Sequence, residues 1–407
     1  MAALKRINQD DLRTHNLSVV INTLLRSSEP LSRADLAKET GLTKATMSLL
    51  TSMLLEHRSL KEGVPSVQSV YGRPSTPLSI NGGAVCGIGV QINTDGYGYM
   101  VLDLDGTVVA ERWISKNLQT ADATAIFGDL DTMLSDQIST LQSRGYTISG
   151  AGLALPGLVA NRTELLVARN LGWERLDLMQ FPVVERLNMI AGNEANMAAI
   201  AQLPGYAAYR RDDCLVGANS SFIYVSTDIG IGGALVRDGR VIVGDHGFAG
   251  EIGHLAVEMD GPVCRCGRHG CLEVYAGRRS MIEAAGIASG DESFNIDAVT
   301  ELFRRLRQGD PQVEAIVDRG MEAMGSALAS LINLSDMDTV LIGGMWNLFD
   351  DEYLQELRNG IQRRILSRNI VDVRIMRANT LPLPALYGAA LTGLRRFVDD
   401  PLQFMQE

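Results

Sequence analysis

Three of the five cysteines fall inside eight residues, at Cys264, Cys266 and Cys271. His254 lies ten residues upstream in the segment AGEIGH. Three thiolates and one imidazole make a closed tetrahedral set of the structural zinc type, with no position left for a catalytic water. Gly267 and Gly270 would let the chain fold around the ion. His269, inside the cluster, and His246, nearby, are the other imidazoles within reach. Cys86 and Cys214 sit in apolar runs and read as core. The thiol count is odd and no export signal is visible, so disulfides are not expected.

A second constellation lies near the N-terminus. Leu17, Val20, Ile21, Leu24 and Leu25 follow the spacing of one buried helical stripe, which Glu29-Pro30 ends. Ser32-Arg33-Ala34-Asp35 resembles a capping box and opens a short helix through Lys38 or Glu39. Thr40-Gly41-Leu42 is a turn, and Thr43 caps a third helix running to about Glu56. This is the helix-turn-helix plan, in which the start of the last helix meets base edges in the major groove. Thr43, Lys44, Thr46 and Ser48 occupy that start and can contact phosphates and bases. Met47, Leu50 and Leu54 face inward. The Gly-, Pro- and Ser-rich stretch 61–81 reads as a β-wing, and Gly72-Arg73-Pro74 would present Arg73 to the minor groove.

The elements that must position these groups change character near residue 82. Short apolar runs split by glycines read as strands: VCGIGVQI, YGYMVLDLDG, TVVAERWIS and ISGAGLALPGLV, with a helix around 121–143. SFIYVSTDIGIGGALVRDG begins a second sheet, 295–335 is helical, TVLIGGMW adds a strand, and LYGAALTGLRRFV closes as a helix. Strands and helices in this order, repeated, imply two α/β lobes. The expected divisions are a winged helix-turn-helix at 1–82, a first lobe at 83–190 completed by helix 385–398, and a second lobe at 191–384. A length of 407 residues suits two to four domains. Net charge is −11, but residues 1–82 hold 10 Lys+Arg against 7 Asp+Glu and the rest 27 against 41. A mildly basic head on an acidic body permits DNA binding by the head. No run of 18 apolar residues and no secretory h-region occurs, so no membrane partner and a cytoplasmic location are expected.

The sequence resembles the ROK family of repressors and kinases. The resemblance is carried by Ala249-Gly250-Glu251-Ile252-Gly253-His254, by the three cysteines with Leu272-Glu273, and by Gly192-Asn193-Glu194-Ala195-Asn196. LSRADLAKETGLTKATMS and GRPSTPL match its helix-turn-helix repressors, which include xylose and N-acetylglucosamine repressors. Leu49 departs from them, standing where many carry a polar or basic residue. The resemblance implies an actin-like, ribonuclease-H-like ATPase-type fold of two α/β lobes. It further implies a homodimer or dimer of dimers on an inverted-repeat operator, and a monosaccharide effector. Asn193, Glu194, Glu251, His254 and Glu273 would form the sugar site, with Gly157 and Asn170 as further pocket residues. His254 would serve zinc with one ring nitrogen and a sugar hydroxyl with the other.

Kinases of this family open with Asp-x-Gly-Gly-Thr. Here Gly89 replaces the acid, Gln91 and Ile92 replace the glycines, and Asn93 replaces the threonine, so bulky side chains are expected in the phosphate path. Asp228, in Ser226–Gly233, adds a negative charge to the second phosphate loop. No ATP-dependent phosphorylation is expected, although Glu194 stands where kinases carry their general base. A sugar kinase with an appended head is the alternative, and a protein effector is the third reading.

Overall fold

The computed structural model describes residues 8–64, 76–208, 215–294, 296–379 and 381–405. It divides into two compact units, one of residues 1–218 with 383–407 and one of 219–382. The expected Arg73 wing tip and Cys214 lie outside the described residues.

The head begins with α1 (Gln9–Arg26), whose buried face is Leu17, Val20, Ile21, Leu24 and Leu25. Next comes α2 (Arg33–Thr40), started by the Ser32–Asp35 capping box and ended by Gly41 in the left-handed region at φ +74. That conformation suits glycine, which has no Cβ to clash with the following carbonyl. The third helix, α3 (Lys44–Glu56), is capped by Thr43, whose side chain accepts from the Thr46 amide. Leu60–Glu62 and Pro77–Ile80 pair antiparallel, forming the base of the expected wing. A third strand at Leu31–Ser32, not foreseen from sequence, pairs with Pro77–Ile80.

The body of the first unit is a five-stranded sheet. In spatial order its strands are Ile190–Asn193, Thr147–Leu155, Val85–Asn93, Gly96–Asp103 and Val108–Ser115. The last three form an antiparallel meander, and the first two run parallel to Val85–Asn93. Ile88, Val90 and Ile92 enter the core with Phe127 and Leu130 of helix Ala123–Ser143. Gly87 and Gly89 meet the C-terminal helix Pro384–Asp399. A Cβ on either would fall on that helix's backbone.

The second unit repeats this order. Arg240–Ile242, Gly232–Arg237 and Phe222–Ser226 form the meander, and Thr339–Ile342 and Arg374–Arg377 extend it in parallel. Helices Pro311–Ser335 and Asp351–Arg364 contribute to its core, together with the buried Trp346 and Phe349. Two copies of a ribonuclease-H-like topology thus make an α/β protein of the actin-like kind.

One boundary differs from expectation. The second unit starts at 219, not 191, because Ile190–Asn193 pairs with Thr147–Leu155 in the first sheet. The helix after it, Glu194–Ile200, also contacts the C-terminal helix, since a Cβ on Gly388 would strike the Met197 carbonyl.

The helix rests on the sheet through Gly152 as well. A Cβ there would lie 3.0 Å from Ala389 Cα and carbonyl carbon and closer still to its oxygen, all backbone that cannot rotate away. Overpacking of this kind costs about 1–3 kcal/mol. Gly152→Ala should therefore destabilise the first unit by that amount, read as a lower denaturant midpoint at unchanged slope, whereas Gly128→Ala, with open space around it, should not.

Candidate functional site

The cysteine segment is a small closed knuckle. Cys264 N–H donates to Arg268 O at 2.7 Å and Gly267 N–H to Cys264 O at 2.9 Å. Gly267 and Gly270 both take positive φ, +90 and +63, as the tight reversal requires. Bridges Val263–His269 and Ala256–Cys271 close the ends. The ligand atoms of His254, Cys264, Cys266 and Cys271 all lie within 4.8 Å of one another. Cys266 Sγ is 3.6 Å from Cys271 Sγ, and Cys264 Sγ is 3.8 Å from His254 Nδ1. A tetrahedron with legs of about 2.3 Å has edges of about 3.8 Å, so the donor set fits zinc in number, type and spacing.

The thiol chemistry supports that fit. Burial and the neighbouring Cys266 and Cys264 push the Cys271 thiol up to about 12. Three thiolates this close repel one another and need a cation to coexist near neutral pH. His269 is used elsewhere, its Nδ1 lying 3.1 Å from Gly261 O. His246 packs beside Phe248. His254 turns Nδ1, not Nε2, toward the Cys264 thiol. Cys86 is buried core, as expected, with its thiol pushed up to about 12 by burial.

Glu251 and Glu273 stand in the same unit. Burial first, then the Glu273 charge, pushes the Glu251 carboxyl up to about 7. Glu273 Oε2 accepts from the Ile231 amide at 3.1 Å. Its carboxylate lies against Gly230, where any Cβ would collide with it. The AGEIGH turn packs on the same segment, since Cβ atoms on Gly250 and Gly253 would meet Gly233 O and Ile231 O. The sequence did not reveal that the glycines of Ser226–Gly233 make room for Glu273 and for this turn. The run Gly230-Ile-Gly-Gly was the visible signal. Asp228 accepts from the Ser226 hydroxyl at 2.7 Å.

In the first unit, Asn193 ends a strand and caps helix Glu194–Ile200, its Oδ1 accepting from Ala195 N–H at 2.8 Å. Its Nδ2 donates to Gly157 O at 3.0 Å. Gly157 holds φ +100 and has no room for a Cβ, which would fall on Val167 O. Asn193 and Gly157 are therefore joined, and Glu194 follows in the first helical turn. Asn170 sits exposed in the turn between strands Glu164–Ala168 and Trp173–Asp177.

The segment 87–93 corrects one expectation. Ile92 is fully buried in the core and so does not stand in a phosphate path. Gln91 is also buried, on the opposite face of the strand, with Oε1 lacking a hydrogen-bond partner among the described residues. Gly87 and Gly89 serve helix packing.

Two α/β units of this topology, with the Cys3His knuckle in the same unit as Glu251 and Glu273, define the architecture to be compared with known proteins. Residues 87–394 match the ROK family model, and the chain belongs to the ROK family. It is 26% identical to a xylose repressor of Caldicellulosiruptor bescii over 90% of this chain and 92% of the relative. It is 30% identical to an N-acetylmannosamine kinase of Salmonella newport over 64% of this chain and 86% of the kinase. A solved ROK family transcriptional regulator, a homolog of the E. coli MLC protein, superposes with a TM-score of 0.76 at 22% identity. That match covers 97% of this chain and 98% of the other, and it shows a shared fold.

Elemental analysis of purified protein should give one zinc per chain, and Cys271→Ser should lower that occupancy and the melting temperature together. Full occupancy in Cys271→Ser would contradict the ligand assignment. A second expectation concerns pH. The free carboxyl ionises near 4.5 and the folded one near 7, so ionising Glu251 opposes folding increasingly as pH rises through that window. Glu251→Gln should therefore gain stability over the wild type between pH 6 and pH 8, by on the order of 1 kcal/mol. Parallel stability profiles would argue against the buried carboxyl.

Proposed function

We propose that this chain is a sugar-responsive transcriptional repressor whose ROK domain performs no catalysis. The observation that carries the reading is the presence, in one chain, of a capped helix-turn-helix with its wing base and the Glu251–His254–Glu273 group beside the Cys3His knuckle. Among the described residues no helix is long and apolar enough to cross a membrane.

At the head, Thr43 spends its hydroxyl on capping α3, so it positions the helix. Lys44 and Ser48 are exposed on the first turns of α3 and Thr46 is half-buried. We assign Lys44 to a phosphate, Ser48 and Thr46 to base edges, and Arg73 to the minor groove. Leu49, 57% exposed on the same helix, offers apolar contact of the kind a thymine methyl accepts. Double-stranded DNA with an inverted repeat, bound by a homodimer or dimer of dimers, follows from two heads meeting two half-sites.

The effector we assign is a monosaccharide. Glu251, Glu273 and the Nε2 of His254 supply acceptors and a donor for sugar hydroxyls in the second unit. Asn193, Glu194, Gly157 and Asn170 are the first unit's proposed contributors. Zinc, when bound, supplies a rigid cross-link that fixes the His254 ring. Glu251, whose carboxyl titrates near 7, can donate or accept a hydrogen bond at neutral pH. Asp228 and Gln91 replace groups that a kinase would need for nucleotide, which favours a binding role over phosphoryl transfer. A cytoplasmic location accords with this role.

The test is a titration of monosaccharides against binding to DNA selected from a random pool, with ADP release followed in parallel. At least one sugar should shift DNA affinity about fivefold or more without ADP formation. Lys44→Ala should weaken binding across sequences and reduce the salt slope by about 1. Efficient ATP turnover on a sugar would instead favour the kinase reading suggested by Glu194. A DNA affinity that no sugar alters would favour a protein effector.

A further inference from the structure

A cavity of about 570 Å³ opens in the first unit, away from every residue assigned to the sugar. Ser135, Ser139 and Gln142 of helix Ala123–Ser143 line one side, with Arg186, Asn188 and Arg396 around them. Gly150 and Phe404 complete the wall.

Arg396 is the informative residue. It is half-buried on the C-terminal helix, with its stem over Gly150. A Cβ on Gly150 would lie 2.6 Å from Arg396 Cδ and 3.2 Å from Nη1, so the glycine provides the space in which the arginine lies. Among the described residues the Arg396 guanidinium has neither an ion pair nor a hydrogen-bond acceptor. Its neighbour Arg395 is fully engaged, with Asp399 at 2.7 Å and Asn22 at 3.0 Å. Arg186 is likewise held, by Asp131 at 2.8 Å and Ser135 Oγ at 3.1 Å. The guanidinium thus borders the cavity with no counter-charge among the described residues, so an anion entering it would meet an unengaged fork.

The surrounding groups narrow the ligand. A guanidinium fork matches two oxygens of a phosphate or a carboxylate. The Ser139 hydroxyl and the exposed Gln142 and Asn188 amides suit hydroxyl groups. We propose that this cavity binds a small hydroxylated metabolite carrying one phosphate or carboxylate, with Arg396 taking the anionic group.

The cavity also adjoins the head. His57, the C-cap of α3, has its Nε2 3.0 Å from the carbonyl of Phe404. Its ring stacks on Phe397, which in turn contacts Phe404. A ligand touching Phe404 is therefore two contacts from the helix that carries Lys44 and Ser48. Binding stands independently of the repressor reading, whereas an effect on DNA rests on it.

The test uses full-length zinc-loaded protein with glycerol 3-phosphate, ribose 5-phosphate, glycerate and gluconate. Glycerol and ribose are the uncharged controls. At least one anion should bind saturably by calorimetry and raise the melting temperature above its control. The phosphate and carboxylate arms show which anionic group is preferred. Arg396→Gln should weaken that binding roughly tenfold and Arg396→Lys, which keeps charge without the fork, by less. The double variant Ser139→Ala/Gln142→Ala, altering only exposed helix positions, should weaken it as well and guards against misfolding of the arginine variants. No anion exceeding its uncharged control, or wild-type affinity in both Arg396→Gln and the double variant, would overturn the site. Repeating the DNA titration with the bound anion tests the coupling alone: a shifted affinity supports it and an unchanged one removes it.

Discussion

Three thiols held within a few ångströms of one another are the constraint on which the proposed ligand site depends. Burial opposes ionisation of Cys264 and Cys271, while hydrogen bonds from Arg268 hold the Cys266 thiol down to about 7, and a divalent cation would let all three ionise together. Once the knuckle closes, Nδ1 of His254 is fixed toward Cys264. The AGEIGH turn that carries His254 also carries Glu251, and Glu273 follows Cys271 by two residues. One cross-link there would set the direction of the three groups proposed to meet the sugar.

Packing of the C-terminal helix is the corresponding constraint in the first unit. Gly87, Gly89 and Gly152 let Pro384–Asp399 lie directly on the sheet backbone. The same helix then meets α1 through Arg395 and Asn22, and continues to Phe404 beside His57. Chain from both ends of the described sequence therefore meets where the helix-turn-helix head joins the body of the first unit. In such an arrangement a change in the body can reach the head through packed rings and a hydrogen bond, without a long lever.

Much of this was legible in the residues. The Ser32–Asp35 capping box, the Gly41 turn and the Thr43 cap are local signals, and local geometry fulfilled them. The cysteine spacing likewise carried its own geometry, and the structure selected His254 over His269 and His246. Non-local pairing was harder to read. Ile190–Asn193 is too short to announce which sheet it joins, so the sequence suggests a boundary at 191 and the pairing moves it to 219. Strand Leu31–Ser32, two residues long, had no signal of its own. Ile92 differs from expectation because alternation along Val85–Asn93 sends it into the core, a fact fixed by sheet register. Arg396 gave no signal, since an arginine in a helix reads as a solvated charge until its missing partner is seen.

The central claim is that sugar and DNA are linked through one protein that does no chemistry on either. Linkage is reciprocal, so the most direct measurement is the dissociation constant of the effective sugar on free protein and on protein saturated with its selected DNA. The account predicts that the two constants differ by the same factor, about fivefold or more, by which that sugar changes DNA affinity. Equal constants would contradict it, because a ligand with no preference between the two states cannot move the equilibrium between them.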